Sequence, residues 1–162
     1  MNRIPYSIRE HRTRVRINGS FILSSPVTNT TADTIIGSGL TNGIFSLRYI
    51  TPNLLSYDGL GKISIKYKGL YSVHFHFKYF SNDLSVFLVK NGIDYAFWRS
   101  ELAQSNEASH LLEAQTDVLC DIDDILYFKC TGTQQGSTAF SIQGDPTTPY
   151  YSWGNITLLE AT

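Results

Sequence analysis

Leu70-Tyr71-Ser72-Val73-His74-Phe75-His76-Phe77-Lys78-Tyr79 decides the fold by its alternation. In an extended chain successive side chains point to opposite faces. Tyr71, Val73, Phe75, Phe77 and Tyr79 then share one face, and Leu70, Ser72, His74, His76 and Lys78 share the other. The first face is aromatic and β-branched throughout and demands a core. The second is only mildly polar. Gly69 separates this strand from residues 62–68, where Ile63, Ile65 and Tyr67 alternate with polar neighbours in the same way.

Moving outward, Ser81-Asn82-Asp83 reads as a turn, and residues 84–90 read as another strand. Asn91-Gly92 is the strongest short hairpin signal and makes residues 93–99 the antiparallel return. Residues 100–115 mix helix-favouring Glu, Leu, Ala and Gln without a consistent apolar stripe. They are expected to form a loop, with one helical turn left open, leading into a strand from about His110. Residues 116–120 and 125–131 are expected to form a hairpin around Asp121-Ile122-Asp123-Asp124. Residues 138–143 and 153–159 supply the last strands. Towards the N-terminus, residues 43–50 read as a strand ended by Pro52, which cannot donate to a ladder. Residues 24–43 read as a polar loop or weak edge with a strand-like piece at 34–36, and Phe21-Ile22-Leu23 as a short buried strand. About ten short antiparallel strands with regular turns mean an all-β sandwich or barrel.

Composition agrees. The 162 residues include ten Tyr, nine Phe and two Trp against one Met, which disfavours a helical bundle. The longest apolar runs are far too short to cross a bilayer as a helix, so no membrane partner is expected. The net charge of −1 hides an asymmetry. Residues 1–18 carry Arg3, Arg9, Arg12, Arg14 and Arg16 against Glu10, a net of +4, and the rest of the chain carries −5. The division expected is a basic arm at 1–20 and a β domain at 21–162. Residues 12–17 alternate Arg12, Arg14 and Arg16 with Thr13, Val15 and Ile17. The opening residues lack the apolar stretch of a secretory signal. The sequons at Asn18, Asn29 and Asn155 therefore matter only if the chain is secreted by another route. Cys120 and Cys130 read as reduced thiols packed as small apolar groups.

The run from Tyr57 to Phe77 resembles the centre of the jelly-roll domain shared by tumour necrosis factor and the globular head of complement's first component. Gly69-Leu70-Tyr71 is similar to the family's glycine-hydrophobic-tyrosine step into its central strand. Residues 84–92, the Val118–Phe128 stretch with its acidic turn, and Tyr151-Ser152-Trp153-Gly154-Asn155-Ile156-Thr157-Leu158-Leu159 resemble later family features in the right order. The match spans roughly residues 44–160, and residues 24–56 align poorly. The resemblance implies a jelly-roll sandwich that forms a homotrimer around a threefold axis. The outward face of the central strand, with Leu70, Ser72, His74 and His76, then becomes the trimer interface.

Candidate sites are few. His74 and His76 share a face, and on a threefold axis they would stack as imidazole rings able to hold a metal or anion. The plainer reading, favoured here, is interface histidines bonded to neighbours. Asp121, Asp123 and Asp124 with Asp117 offer oxygen ligands for Ca²⁺, but the regular Asp-x-Asp-x-Asp-Gly spacing is absent and a solvated turn is favoured. No nucleophile elbow, phosphate loop or His-Glu-x-x-His is present. Glu107 and His110 are close only in sequence. No enzyme and no cofactor are expected. Five arginines would neutralise phosphates, but the acidic body repels nucleic acid, so a protein partner is preferred.

The expected function is structural: a homotrimeric decoration or cement protein, held by the arginines of its arm to the major capsid protein of a virus or phage particle. Three weak arms acting together would give tight attachment. The alternative is the receptor- or glycan-binding head of a fibre or adhesin, using loops near residues 91–95, 100–107 and 144–151. A secreted complement-like head would need a leader peptide that the opening residues do not supply.

Overall fold

The computed structural model describes residues 17–28, 33–39, 41–80, 83–101, 109–132, 140–145, 147 and 151–162. The arm arginines Arg3, Arg9, Arg12, Arg14 and Arg16 lie outside the described residues.

Twelve strands follow in chain order: β1 Gly19–Val27, β2 Thr34–Ile35, β3 Asn42–Ile50, β4 Leu55–Tyr57, β5 Ile63–Ile65, β6 Gly69–Phe80, β7 Asp83–Lys90, β8 Ile93–Glu101, β9 His110–Cys120, β10 Ile125–Gly132, β11 Ser141–Ile142 and β12 Ser152–Ala161. No helix occurs among the described residues. One sheet runs β3-β1-β12-β6-β9, with β11 joining the ends of β1 and β6. The other runs β4-β5-β10-β7-β8, with β2 beside β10. Every pairing is antiparallel.

The β6 alternation sets the layers. Tyr71, Val73, Phe75, Phe77 and Tyr79 are at most 1% exposed and form the floor of the core. Phe75 and Phe77 stack with centroids 4.8 Å apart, and Phe128 of the opposite sheet meets both edge-on. Trp98 of β8 also packs edge-on against Phe75, so one residue of β6 ties both sheets. Leu23, Leu84, Val86, Leu88 and Leu126 close the space around them. Burial on this scale, not strand propensity alone, holds short strands together.

The β7–β8 hairpin forms as the sequence requires. Asn91 and Gly92 both take positive φ, 53° and 82°, as a two-residue primed turn demands. The strand expected from about His110 forms and runs unbroken through residues 110–120. Two readings change. The acidic turn does not close a hairpin: β9 pairs with β6 in one sheet and β10 pairs with β7 and β5 in the other, so Asp121–Asp124 carries the chain across the core. Tyr67 does not extend the Ile63, Ile65 face; β5 stops at Ile65 because the chain turns there to change sheets, and Tyr67 is exposed. Gly19 and Ser20 lie in β1, and Asn18 before them is buried and bonded to β12.

Candidate functional site

The outward face of β6 is central to its sheet, flanked by β12 on one side and β9 on the other. Register fixes its neighbours. His76 sits between Trp153 of β12 and Glu113 of β9, and His74 between Asn155 and Gln115. The side chains then bond across strands. His74 Nε2 donates to Glu113 Oε1 at 2.8 Å, and His76 Nδ1 donates to Oε2 at 3.2 Å. A carboxylate only accepts, so the ring nitrogens facing it carry the protons. Hydrogen bonds from His74 and then from His76 hold the Glu113 carboxyl below its usual range. Trp153 lies parallel to the His76 ring at 5.5 Å and meets the His74 ring edge-on at 4.8 Å. Gln115 Nε2 donates to Ser72 Oγ at 2.7 Å.

The four residues expected at a trimer interface thus stand together on one face. Leu70, His74 and His76 are half-buried, and Ser72 is only 6% exposed even in the single subunit. Apolar side chains surround the polar centre: Leu111 and Leu119 of β9, Leu159 of β12 and Ile17 before β1 are all exposed. Between them lies a hollow of about 160 Å³ lined by Ile17, Ser72, His74, Gln115 and Leu159. The histidine pair was legible from its spacing. Glu113 and Trp153 were not, because they come from other strands and only register delivers them.

The acidic turn is built differently from an ion loop. Asp124 is buried. Its Oδ2 accepts the Asp121 N–H at 2.8 Å and pairs with Lys90 Nζ at 2.9 Å, and its Oδ1 accepts from Asn91 Nδ2 at 2.6 Å. Burial pushes the Asp124 carboxyl up, but these donors outweigh it and the net shift is downward. Asp121 pairs with Lys68 at 2.9 Å. Among the described residues no group of three or more His, Cys, Asp or Glu side chains gathers as a metal site would require. Cys120 and Cys130 are free and buried, in opposite sheets. Burial raises their thiols to about 11 and about 12, far from reactive thiolates.

The outward face of the second sheet is more aromatic than the sequence reading anticipated. Phe87 and Phe97 pack with centroids 4.8 Å apart, and Lys129 Nζ lies over Phe87 while pairing with Asp33 and Asp94 at 2.7 Å each.

No protein-family model and no characterised protein sequence matches the chain. Solved structures match its shape. Eiger TNF from S. frugiperda superposes with a TM-score of 0.64 at 12% identity, covering 92% of this chain and 96% of that one. The fold is the tumour necrosis factor jelly roll. Murine APRIL gives a TM-score of 0.61 at 9% identity over 87% of this chain and 97% of its own. The globular domain of zebrafish complement 1qA gives 0.54 at 12% identity over 90% and 99%. The jelly-roll resemblance drawn from residues 57–77 is therefore correct in architecture, and these likenesses concern the fold.

Proposed function

We propose that this tumour-necrosis-factor-like jelly roll is a non-enzymatic homotrimeric head, with the outward face of the β3-β1-β12-β6-β9 sheet buried between subunits. One observation carries the reading. The centre of that face has its polar groups bonded to one another, Glu113 to both imidazoles and Gln115 to Ser72, while its margins expose Leu111, Leu119, Leu159 and Ile17. Polar groups already bonded lose little on leaving water, and the apolar margin gains by it. A closed cyclic arrangement covers such a face in every copy.

Residues 1–16 then serve as the attachment arm, and the particle decorated is a virus or phage capsid. The net +4 of the arginine-bearing segment against the acidic body supports a tether with its own partner. Removing residues 1–16 is the proper test, because Asn18 is structural: its N–H donates to Ile156 O, and its Oδ1 accepts from Leu158 N at 2.6 Å. The truncated protein should keep its oligomeric mass and lose sedimentation with capsids. Unchanged co-sedimentation would refute the arm as anchor.

A receptor- or glycan-binding head is the second reading. It is favoured by the exposed Ile93, Tyr95 and Phe97 along β8, on the sheet that trimerisation leaves open. Selective binding on a glycan array, lost on Tyr95→Ala, would promote it over decoration.

A further inference from the structure

Three Asn-Gly steps occur in the chain: Asn18-Gly19, Asn42-Gly43 and Asn91-Gly92. Such a step carries its own chemistry. The glycine nitrogen, with no side chain to shield it, can attack the Cγ of the asparagine before it. The fold treats the three steps differently. Asn18 is buried, its Oδ1 accepts the Leu158 N–H at 2.6 Å, and a Cβ at Gly19 would lie 2.9 Å from the Leu55 side chain. Asn42 Nδ2 donates to Ser38 Oγ at 2.9 Å, and a Cβ at Gly43 would meet the Leu23 side chain and the Ser25 carbonyl oxygen at 2.9 Å each. Both steps are walled in. Asn91 and Gly92 are exposed at the tip of the β7–β8 turn, and nothing lies within 4 Å of a Cβ placed on Gly92.

Hydrogen bonds, not packing, hold the third step. Asn91 Nδ2 donates to Asp124 Oδ1 at 2.6 Å, and Asn91 Oδ1 accepts the Ile125 N–H at 2.8 Å. The Asn91 main-chain N–H donates to Ile125 O at 2.9 Å. Asp124 is fixed in turn by Lys90 Nζ and the Asp121 N–H. Both ends of the amide are thus tied to residues 124 and 125, where β10 begins. Attack by the Gly92 nitrogen would make the planar Cγ tetrahedral and expel Nδ2, the atom that Asp124 holds. The side chain must leave both partners first.

We propose that Asn91 is a latent deamidation site, kept unreacted by its side-chain bonds to Asp124 and Ile125 and released when that clasp opens. The Gly92 nitrogen then bonds to Asn91 Cγ, and its proton passes through water to the departing Nδ2. The Cγ–Nδ2 bond breaks and ammonia leaves behind a cyclic imide. Water opens the imide at either carbonyl, giving aspartate or isoaspartate at position 91, with nothing oxidised or reduced. The change is one-way. A carboxylate at position 91 offers Asp124 no donor and sets a like charge beside it. Isoaspartate also adds a methylene to the main chain, which a two-residue turn cannot absorb. The clasp, once lost, does not re-form, and the strand tip that carries Ile93 and Tyr95 stays altered. This turn belongs to the sheet that the trimer reading leaves open, so neither proposal stands on the other.

The test follows the unaltered protein in warm, mildly alkaline buffer, native and unfolded in urea, by peptide mass and chromatographic separation of isoaspartyl peptides. In urea the three steps should convert at similar rates. In the native protein product should appear first at Asn91, at least about tenfold more slowly than in urea, because only the opened population reacts. Asp124→Ala, shown to be folded by circular dichroism, should convert Asn91 about tenfold faster than the unaltered protein, as loss of one hydrogen bond allows, with Asn18 and Asn42 unchanged. Asp124→Asn, which keeps the shape and loses the charge, takes its place if the alanine variant does not fold. Native conversion of Asn91 as fast as in urea, product first at Asn18 or Asn42, or an unchanged rate at Asn91 in the folded variant each overturns the proposal.

Discussion

At the scale of single residues, the acidic turn shows how a cluster that reads as a ligand site can be a structural clasp. Asp124 holds the Asp121 amide, the Asn91 amide group and the Lys90 ammonium at once, and Asn91 Oδ1 in turn accepts the Ile125 N–H at 2.8 Å. Asp124→Ala should cost about 1–3 kcal/mol in denaturant unfolding, because it takes the acceptor from two part-buried hydrogen bonds, those of the Asp121 N–H and Asn91 Nδ2. The pH dependence follows from the downward shift of Asp124. Its contribution is complete above the unfolded carboxylate range, near pH ~4, and disappears as pH falls through the lower folded value. Asp124→Asn should therefore flatten the acid limb of the stability curve, and an unchanged limb would refute the clasp. Gly132 is a second residue with no latitude, since a Cβ there would collide with the Phe140 ring. Gly132→Ala should destabilise by about 1–3 kcal/mol, the usual cost of overpacking.

At the scale of elements, β6 was legible because period-two alternation ran unbroken through ten residues and every inward position was large. β9 was legible in its start near His110 but not as one continuous strand. Its inward side chains Leu112, Ala114, Thr116 and Val118 are mostly small, and its Glu, Leu, Ala and Gln favour helix. Pairing with β6 over eleven residues overrides that preference. The turn after β9 misled for a different reason. A four-residue link suits a hairpin or a crossing between sheets equally well, and the choice is made by long-range partners on β6 and β7. β4 is three residues long and carries no period to read. The site divides likewise: His74 and His76 follow from spacing on one strand, while Glu113 lies 39 and 37 residues away and arrives by register. Phe75→Ala, which removes the ring shared by Phe77, Trp98 and Phe128, should cost about 3–5 kcal/mol in denaturant unfolding. The thiols give a complementary test of the closed core. Burial keeps Cys120 and Cys130 protonated to about 11 and about 12. Unfolded thiols ionise from about pH 8.5, so their contribution to stability is full below that value and falls as pH rises above it. Alkylation at pH 8 should proceed only at the unfolding rate, and rapid labelling of the native protein would contradict the packing.

At the scale of the whole molecule, the two sheets present two different outer faces. One is centred on bonded polar groups within an apolar margin, and the other exposes the Phe87–Phe97 pair and the β8 aromatics. The account assigns the first to other copies of the chain and leaves the second free. Placing a charge in the first should act on assembly and not on folding: Ser72 and Gln115 bond on the outer surface, away from the aromatic core. Gln115→Arg should give a folded protein with weakened self-association, read by sedimentation alongside circular dichroism. The most direct measurement is the mass of the intact chain in solution, by sedimentation equilibrium at micromolar concentration and neutral pH. The account predicts three times the 18.2 kDa chain mass. A stable species of 18.2 kDa, with the His74–His76 face open to water, would contradict it.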